Sequence, residues 1–409
     1  MAIAAGVAKT VSFKKQSNFT TGIVAPVSGG YGLRRVTSDL SLAKEPYESQ
    51  ELSSTYQRLD VRSGVRSVTG SINGELSPGS YQLPLAALLH KDFAAVTPMT
   101  GIGLTVGAAT LGIYPLTITT AHSWFTGGIK VGHVIRLTAG SMNAANLAKN
   151  LLVTSITGAT TAFVMPLNGV AMFPEGPITG NTITPAGKYT YAVDTGHTDD
   201  SFTIEHWHPD VAQSEAFNGC KFTKADFDLP PTGIATLNLG VMGRDVFTGT
   251  SQILTTPTQL TGGVLASVNG VMLINGVAQA LLTGLSFSID AEYSADPVVG
   301  SNLYAEIFRG RVIVKGTATV FFQDAVVRDL FINETNVSLV AAFATGSTGT
   351  ADFMSFCLPN VKFMGANKSD GPKGLSQTMP FEALYLSTGG AGTANEKTTI
   401  LIHDSLASV

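Results

Sequence analysis

Hydrophobic and polar residues alternate along this chain in short runs, with little helical spacing. In GVRSVTGSINGELSP, from Gly64, the residues Val68, Ile72 and Leu76 fall on one side of an extended strand. In GRVIVKGTATVFFQD, from Gly310, so do Val312, Val314, Ala318 and Val320. Turn pairs such as NG, GG, DG and PG separate the runs, so most of the chain is predicted to be β-structure. Two short helices are expected to interrupt it, one at Pro84, Leu85, Leu88 and Leu89, the other at Val326, Val327, Leu330 and Phe331 behind Asp324 as a cap.

The same pattern is written twice. Gly64, Val68 and Gly70 align without gaps on Gly310, Val314 and Gly316, 246 residues later (310 minus 64), and each segment runs into its helix. A second match sets Lys221, Phe222, Ala225, Pro231 and Gly233 over Lys362, Phe363, Ala366, Pro372 and Gly374, 141 residues later (362 minus 221). Downstream, Leu237, Leu239 and Val241 meet Met379, Phe381 and Ala383 only with a further one-residue shift, as a β-bulge supplies. Internal repetition of this kind predicts two copies of one small β-fold.

The two offsets differ by 105 residues (246 minus 141), which locates an insertion of that size in the first copy, after its helix. Only a few residues separate the second helix from VSLVAAF at Val337, whereas the comparable SFTIEHW begins at Ser201. The inserted stretch has strand signals of its own, PLTITTA from Pro115, KVGHVIRLTAG from Lys130 and LLVTSITGATTAFVMPL from Leu151. The expected fold is therefore mainly β: two tandem β-sandwich or barrel domains, each with one flanking short helix, plus a small inserted β-domain. Residues 1–93 and 199–255 would form the first domain, 94–198 the insert and 256–409 the second domain.

Composition narrows the function. Charged residues make up 13% of the chain against about 25% in an average soluble protein, and the mean hydropathy is +0.24. No run reaches the roughly 18 apolar residues of a spanning helix, so extensive subunit contact is left as the place for the apolar surface. A net charge of -4 without a Lys/Arg cluster argues against a nucleic-acid binder. Two cysteines, Cys220 and Cys357, are too few for a disulfide framework. The lysines of MAIAAGVAKTVSFKK follow its apolar residues, the reverse of signal-peptide order, so the sequons at Asn333 and Asn336 read as chance.

Candidate chemistry is sparse. His206 and His208 flank Trp207 and share one face of an extended strand, but no third metal ligand follows from spacing. No nucleophile elbow, phosphate loop or dinucleotide fingerprint is present. The expectation is no catalytic residue, no metal and no cofactor, and a protein that is not an enzyme.

Five stretches, beginning at Tyr31, Val61, Phe217, Leu282 and Phe356, resemble in sequence and in order the tail tube proteins of long-tailed bacteriophages. That family is built on a β-sandwich or barrel with one flanking helix. The resemblance implies a structural virion protein whose rings stack into a tube through which genomic DNA passes into the host, without sequence recognition. It implies assembly in the bacterial cytoplasm, a place in the virion tail, and partners comprising other copies of itself, a tape measure protein, and a tail terminator or baseplate. Two copies of the domain per chain imply three chains per ring, a trimer with pseudo-sixfold symmetry, and no membrane span. Other readings are another virion component (baseplate, terminator or decoration protein) or a bacterial β-rich surface-binding protein, the last of which predicts export.

Two loops hold most of the charge, and by the resemblance they become candidates for contacts between rings. In the first copy these residues are Lys44, Glu45, Glu48, Glu51, Arg58, Asp60, Arg62 and Arg66; in the second they are Asp290, Glu292, Asp296, Glu306, Arg309 and Arg311. The alternation gives each strand two faces without saying which would face a lumen.

Overall fold

The strands follow from the alternation. In Thr236–Gly243 and Ser376–Ala383 every second side chain is buried, so each carries one core face and one solvent-facing face. The computed structural model describes residues 3–52, 54–279, 282–322, 326–369 and 374–408; Asp324, expected as a helix cap, and Pro372 lie outside them. The chain is mainly β, with two α-helices among the described residues, Gln82–Leu89 and Val326–Ile332.

Six strands of the amino-terminal half pair, all antiparallel, in the order Thr10–Lys15, Phe202–His208, Gln213–Leu229, Thr236–Gly243, Val61–Glu75, Ser41–Glu48. Six of the carboxy-terminal half pair in the order Gly270–Ile274, Val337–Ala344, Phe353–Phe363, Ser376–Ala383, Ile313–Phe321, Leu282–Asp290. In each path the helix lies between the fifth strand of that order and the second. The ladders agree residue by residue. Lys221 pairs with Met242 as Lys362 pairs with Glu382, and Phe222 with Val241 as Phe363 with Phe381.

An irregularity recurs too. Phe202 and Ile204 face Cys220 and Phe217, two steps against three, and Val337 and Leu339 face Val361 and Leu358 in the same way. One expected register is different. Leu239 faces Ile72 where Met379 faces Ala318, so the ladder sets Leu239, not Leu237, beside Met379. With a side-chain period of two, either alignment keeps apolar residues on the core face, and only the partner strand decides between them.

The halves join through backbone. Gln213–Leu229 pairs with Leu282–Asp290 from Lys224 opposite Asp290 to Leu229 opposite Leu285, which makes one continuous eight-stranded sheet layer within the larger hydrogen-bonded assembly of strands, in the order Ser41–Glu48, Val61–Glu75, Thr236–Gly243, Gln213–Leu229, Leu282–Asp290, Ile313–Phe321, Ser376–Ala383, Asn367–Lys368. Phe227 stacks on Phe287 at 4.6 Å across this junction, and Phe356 meets both rings edge-on at 5.1 and 5.2 Å. A single hydrophobic core runs beneath the whole sheet and takes in helix Gln82–Leu89, whose Leu85, Leu88 and Leu89 are buried as expected.

The inserted stretch closes into a six-stranded barrel running from Met99–Val106 to Glu175–Pro185. The next strand, Lys188–Tyr191, pairs instead with Leu401–Asp404 near the carboxy terminus. The barrel core continues into Leu273, Val340, Ala342, Phe353 and Cys357 of the second half. Their strand neighbours Met272, Ile274, Leu339, Ala341 and Phe343 face the main core. The layers of the second half are therefore open sheet face, main core, second sheet, barrel core and barrel, so the barrel sits on the side away from the open sheet face. Gly132 permits this docking: its φ is +88°, and a Cβ there would lie 2.4 Å from that of Cys357.

Buried Glu205 fixes the chain where it crosses between halves. Its carboxylate accepts from Ser214 Oγ at 2.6 Å and from the backbone N–H groups of Ile253 at 2.6 Å and Leu254 at 2.7 Å. Glu205→Gln keeps the shape but turns an NH2 toward these donors. It is expected to lower stability by about 1–3 kcal/mol, the cost of an unsatisfied buried polar group. Urea denaturation measures this, and an unchanged midpoint would show that the clamp contributes nothing.

Candidate functional site

Three surfaces stand out: the edges of the eight-stranded sheet, its open face, and the charged loops. Among the described residues, strand Ser41–Glu48 pairs only with Val61–Glu75, so its other side presents unpaired N–H and C=O groups. At the opposite end of the sheet, Asn367–Lys368 pairs only with Ser376–Ala383.

The open face is polar. It carries Asn73, Asp226, Asp228, Thr236, Asn238, Ser286, Ser288, Lys315 and Thr317, while the alternate positions, among them Leu237, Leu239, Phe287 and Ala318, are in the core. Lys224 lies 2.9 Å from Asp226 and Lys315 lies 3.7 Å from Glu382, so the bases on this face sit beside acids. Hydroxyls, amides and paired charges dominate it.

The two charged loops are placed differently. Residues 44–52 and 54–62 belong to an arm in which Lys44, Glu45, Glu48, Glu51, Arg58, Asp60 and Arg62 are all exposed. Its ion pairs are local, Glu48 with Arg58 at 2.8 Å and Asp60 with Arg62 at 2.6 Å. Leu52 and Tyr56 on the arm are essentially fully exposed. Arg66 lies at the root and pairs with Asp245 at 3.2 Å.

The second loop, 291–312, folds back over the first half. Its carbonyls at Asn302, Tyr304 and Ile307 accept from Arg66 N, Arg244 Nε and Lys221 Nζ. Glu306 holds Lys221 at 2.9 Å, Glu292 holds Arg311 at 3.0 Å, and Asp290 stands opposite Lys224 in the strand junction. Asp296 and Arg309 are exposed. The sequence placed these two loops in one class by composition; the structure separates them by what they cover. Dense charge in a charge-poor chain and the family resemblance were the sequence signals for both.

The two histidines weighed as metal ligands do not converge on a cluster; among the described residues no group of three or more His, Cys, Asp or Glu side chains could hold a metal ion. His206 Nε2 lies 2.7 Å from Ser38 Oγ, and its ring packs edge-on against Phe217. His403, which sequence reasoning passed over, is fully buried where the barrel docks and accepts from Val134 N at 3.0 Å. No helix among the described residues is long and apolar enough to cross a membrane.

With these surfaces in view, comparison with known proteins is informative. The family profile of phage tail tube proteins matches residues 6–383, nearly the whole chain, and the chain belongs to that family. No curated protein matches it. The family is one of structural proteins rather than of enzymes, and its name places the chain as a component of the virion tail.

Burial, the largest cause in each case, pushes the pKa of His206 and of His403 from 6.5 down to about 3. The unfolded chain takes up protons near pH 6.5 that the folded chain refuses until about pH 3. Their contribution to stability is therefore full above about pH 6.5 and is lost as the pH falls toward 3, by roughly 2–3 kcal/mol for each histidine at pH 4.5. Asp404 works the other way: burial pushes its carboxyl up to about 7, so its cost to the folded chain is relieved as the pH falls. Urea midpoints of the wild-type chain and of His206→Gln at pH 7 and pH 4.5 test this. The change on going to pH 4.5 should be more favourable to the folded state in His206→Gln, and an identical change in both proteins would contradict it.

Proposed function

We propose that three copies of this chain close into a ring with pseudo-sixfold symmetry, that the rings stack into the tail tube, and that the polar sheet face lines the channel through which genomic DNA passes. The proposal includes the expected domain limits, with the two matching strand paths read as a duplicated tube domain and the barrel as the guest.

The observation that carries this reading is the junction inside the chain. There the strand Gln213–Leu229 of one half takes up the strand Leu282–Asp290 of the other, Ala225 opposite Ile289. Under the ladder equivalences, Ala366 stands for Ala225 and Leu42 for Ile289. The same junction is then available between 365–369 of one chain and 39–43 of the next, the two edges left unpaired. A head-to-tail interface of this kind closes when its rotation divides a full turn. Strand addition satisfies both edges with backbone hydrogen bonds and needs no particular side chain.

A channel for DNA has to avoid binding it. Phosphate contacts by Lys and Arg release counterions and generate affinity for any sequence. On the open face Asp226 and Glu382 stand beside the two lysines and Asp228 adds a further acid. The barrel, on the side away from this face in the second half, then lies outside the tube. The tip of the exposed arm is assigned to contacts with the adjacent ring. The tape measure and terminator or baseplate are partners that follow from the family, as does assembly in the host cytoplasm.

Two measurements test the reading. Hydrogen exchange of free and assembled protein should show peptides covering 39–46 and 364–369 becoming protected on assembly, with the barrel strands unchanged; protection confined to the barrel would place the interface elsewhere. Tubes carrying Asp226→Lys and Asp228→Lys should retain double-stranded DNA in co-sedimentation at low salt and release it as salt rises, whereas wild-type tubes retain none. Equal retention by both would remove the polar face from the channel.

A further inference from the structure

One side chain has a counterpart whose surroundings are incomplete. Lys221, with only 2% of its side chain exposed, is held by two carboxylates: Asp199 at 2.8 Å, from its own half, and Glu306 at 2.9 Å, from the loop of the other half. Lys362 occupies the same ladder position in the second half. It is held by Glu334 at 3.0 Å, and its side chain is 31% exposed. Glu334 follows Asp199 by 135 residues, as Val337 follows Phe202 in the matched ladders, so the first carboxylate of the clasp is repeated.

Among the described residues no second carboxylate forms an ion pair with Lys362, and the residue matching Glu306 lies out on the arm. Counting back from Val314 and Val68, which share a ladder position, Glu306 corresponds to Asp60 and Ile307 to Val61, each pair 246 residues apart. Ile307 is fully buried, whereas Val61 is 53% exposed. Ile307 is covered where Val61 is open, while the side chains of Glu306 and Asp60 are 36% and 48% exposed. Among the described residues Asp60 forms its ion pair with Arg62, an exposed pair of the kind that contributes little and exchanges easily.

We propose that the base of the arm docks on a neighbouring copy of this chain within the same ring, where Asp60 supplies the second carboxylate to Lys362 and Val61 is covered as Ile307 is. This rests on the ring reading above. It assigns the partner as a second copy placed laterally, so that the base of the arm works within a ring while its tip extends further. Charge complementarity supports it, since the arm brings an acid to a lysine already seated beside one acid. Continuity supports it too, because the loop and the strand junction within the chain come as one unit, and the same pair of free surfaces occurs at the two ends of the sheet.

The full-length protein tests this by charge reversal. Asp60→Lys or Lys362→Glu alone should lower the assembled fraction at fixed protein concentration by about tenfold, and the double reversal should restore it to within about twofold. Asp60 is exposed, so unassembled Asp60→Lys should keep the wild-type melting temperature; Lys362 also pairs with Glu334, so Lys362→Gln, which sets no second acid against that carboxylate, is measured beside Lys362→Glu. As an independent measurement, variants with one added cysteine, Asp60→Cys and Lys362→Cys, are mixed and treated with a short bis-maleimide. They should cross-link between chains in isolated single rings, over little background because Cys220 and Cys357 are buried.

If rings form but the double reversal stays as defective as the singles, or cross-links appear only in stacked tubes, the lateral docking is overturned while the tube reading stands. If the wild-type chain forms no ring at all, both fall.

Discussion

The unpaired backbone groups at the two ends of the eight-stranded sheet are the constraint on which the rest of this structure depends. A sheet edge in water is a standing offer to any other strand, and proteins usually blunt or cover it. Here Ser41–Glu48 is long and exposed, and no Pro replaces its outward N–H groups near Leu42. At the other end the polypeptide repeats the segment that accepts a strand in its middle. In the proposed assembly, an edge and an acceptor of matching register on one chain would act as a polymerisation rule, and whether such a rule yields a closed ring or an open filament depends on the angle between them.

Low charge density fits the same constraint. Paired and acid-balanced residues on the open face keep it wet without making it attractive to phosphates, while much of the remaining charge gathers on the exposed arm and on the loop that folds over the first half. The apolar residues that lift the mean hydropathy have three destinations in the structure. Most enter the main core or the barrel core, and the rest stay exposed at scattered positions, among them Leu52, Tyr56 and Leu59 on the arm, Ile332 on the second helix, and Leu111, Val268 and Val299 elsewhere.

Much of the fold was legible because strand alternation is a local property. Val68, Ile72 and Leu76 reach the core as their spacing requires, and Lys221 with Phe222 marks the same ladder rungs as Lys362 with Phe363. What was not legible depends on partner choice. Nothing near Lys188 announces that its strand pairs with Leu401–Asp404, more than two hundred residues on. The setting of Leu239 beside Met379 hid for a related reason: two alignments bury equally good faces, and only the neighbouring strand separates them. The charged loops were found by their charge and by the family resemblance, and neither reports which surface a loop crosses.

The equivalence of the two halves holds where backbone pairing dictates it and lapses where side chains decide. The ladders repeat down to an irregularity opposite Phe217 and Leu358. Behind them the outer faces differ. In the second half the alternate residues Leu273, Val340 and Ala342 are apolar and receive the barrel, whereas in the first half the corresponding strand turns Thr203 and Glu205 outward, beneath Gln16 and the crossing at Ile253 and Leu254. A barrel inserted in the first half but seated on the second also ties the halves together across their junction, so that the internal copy of the joint is held by two independent contacts. A joint between chains would have the strand pairing and the arm alone. In the proposed ring, the side that would meet neighbouring chains is thus the one kept regular by hydrogen-bond register, and the side that would face away from them is the one whose side chains diverge.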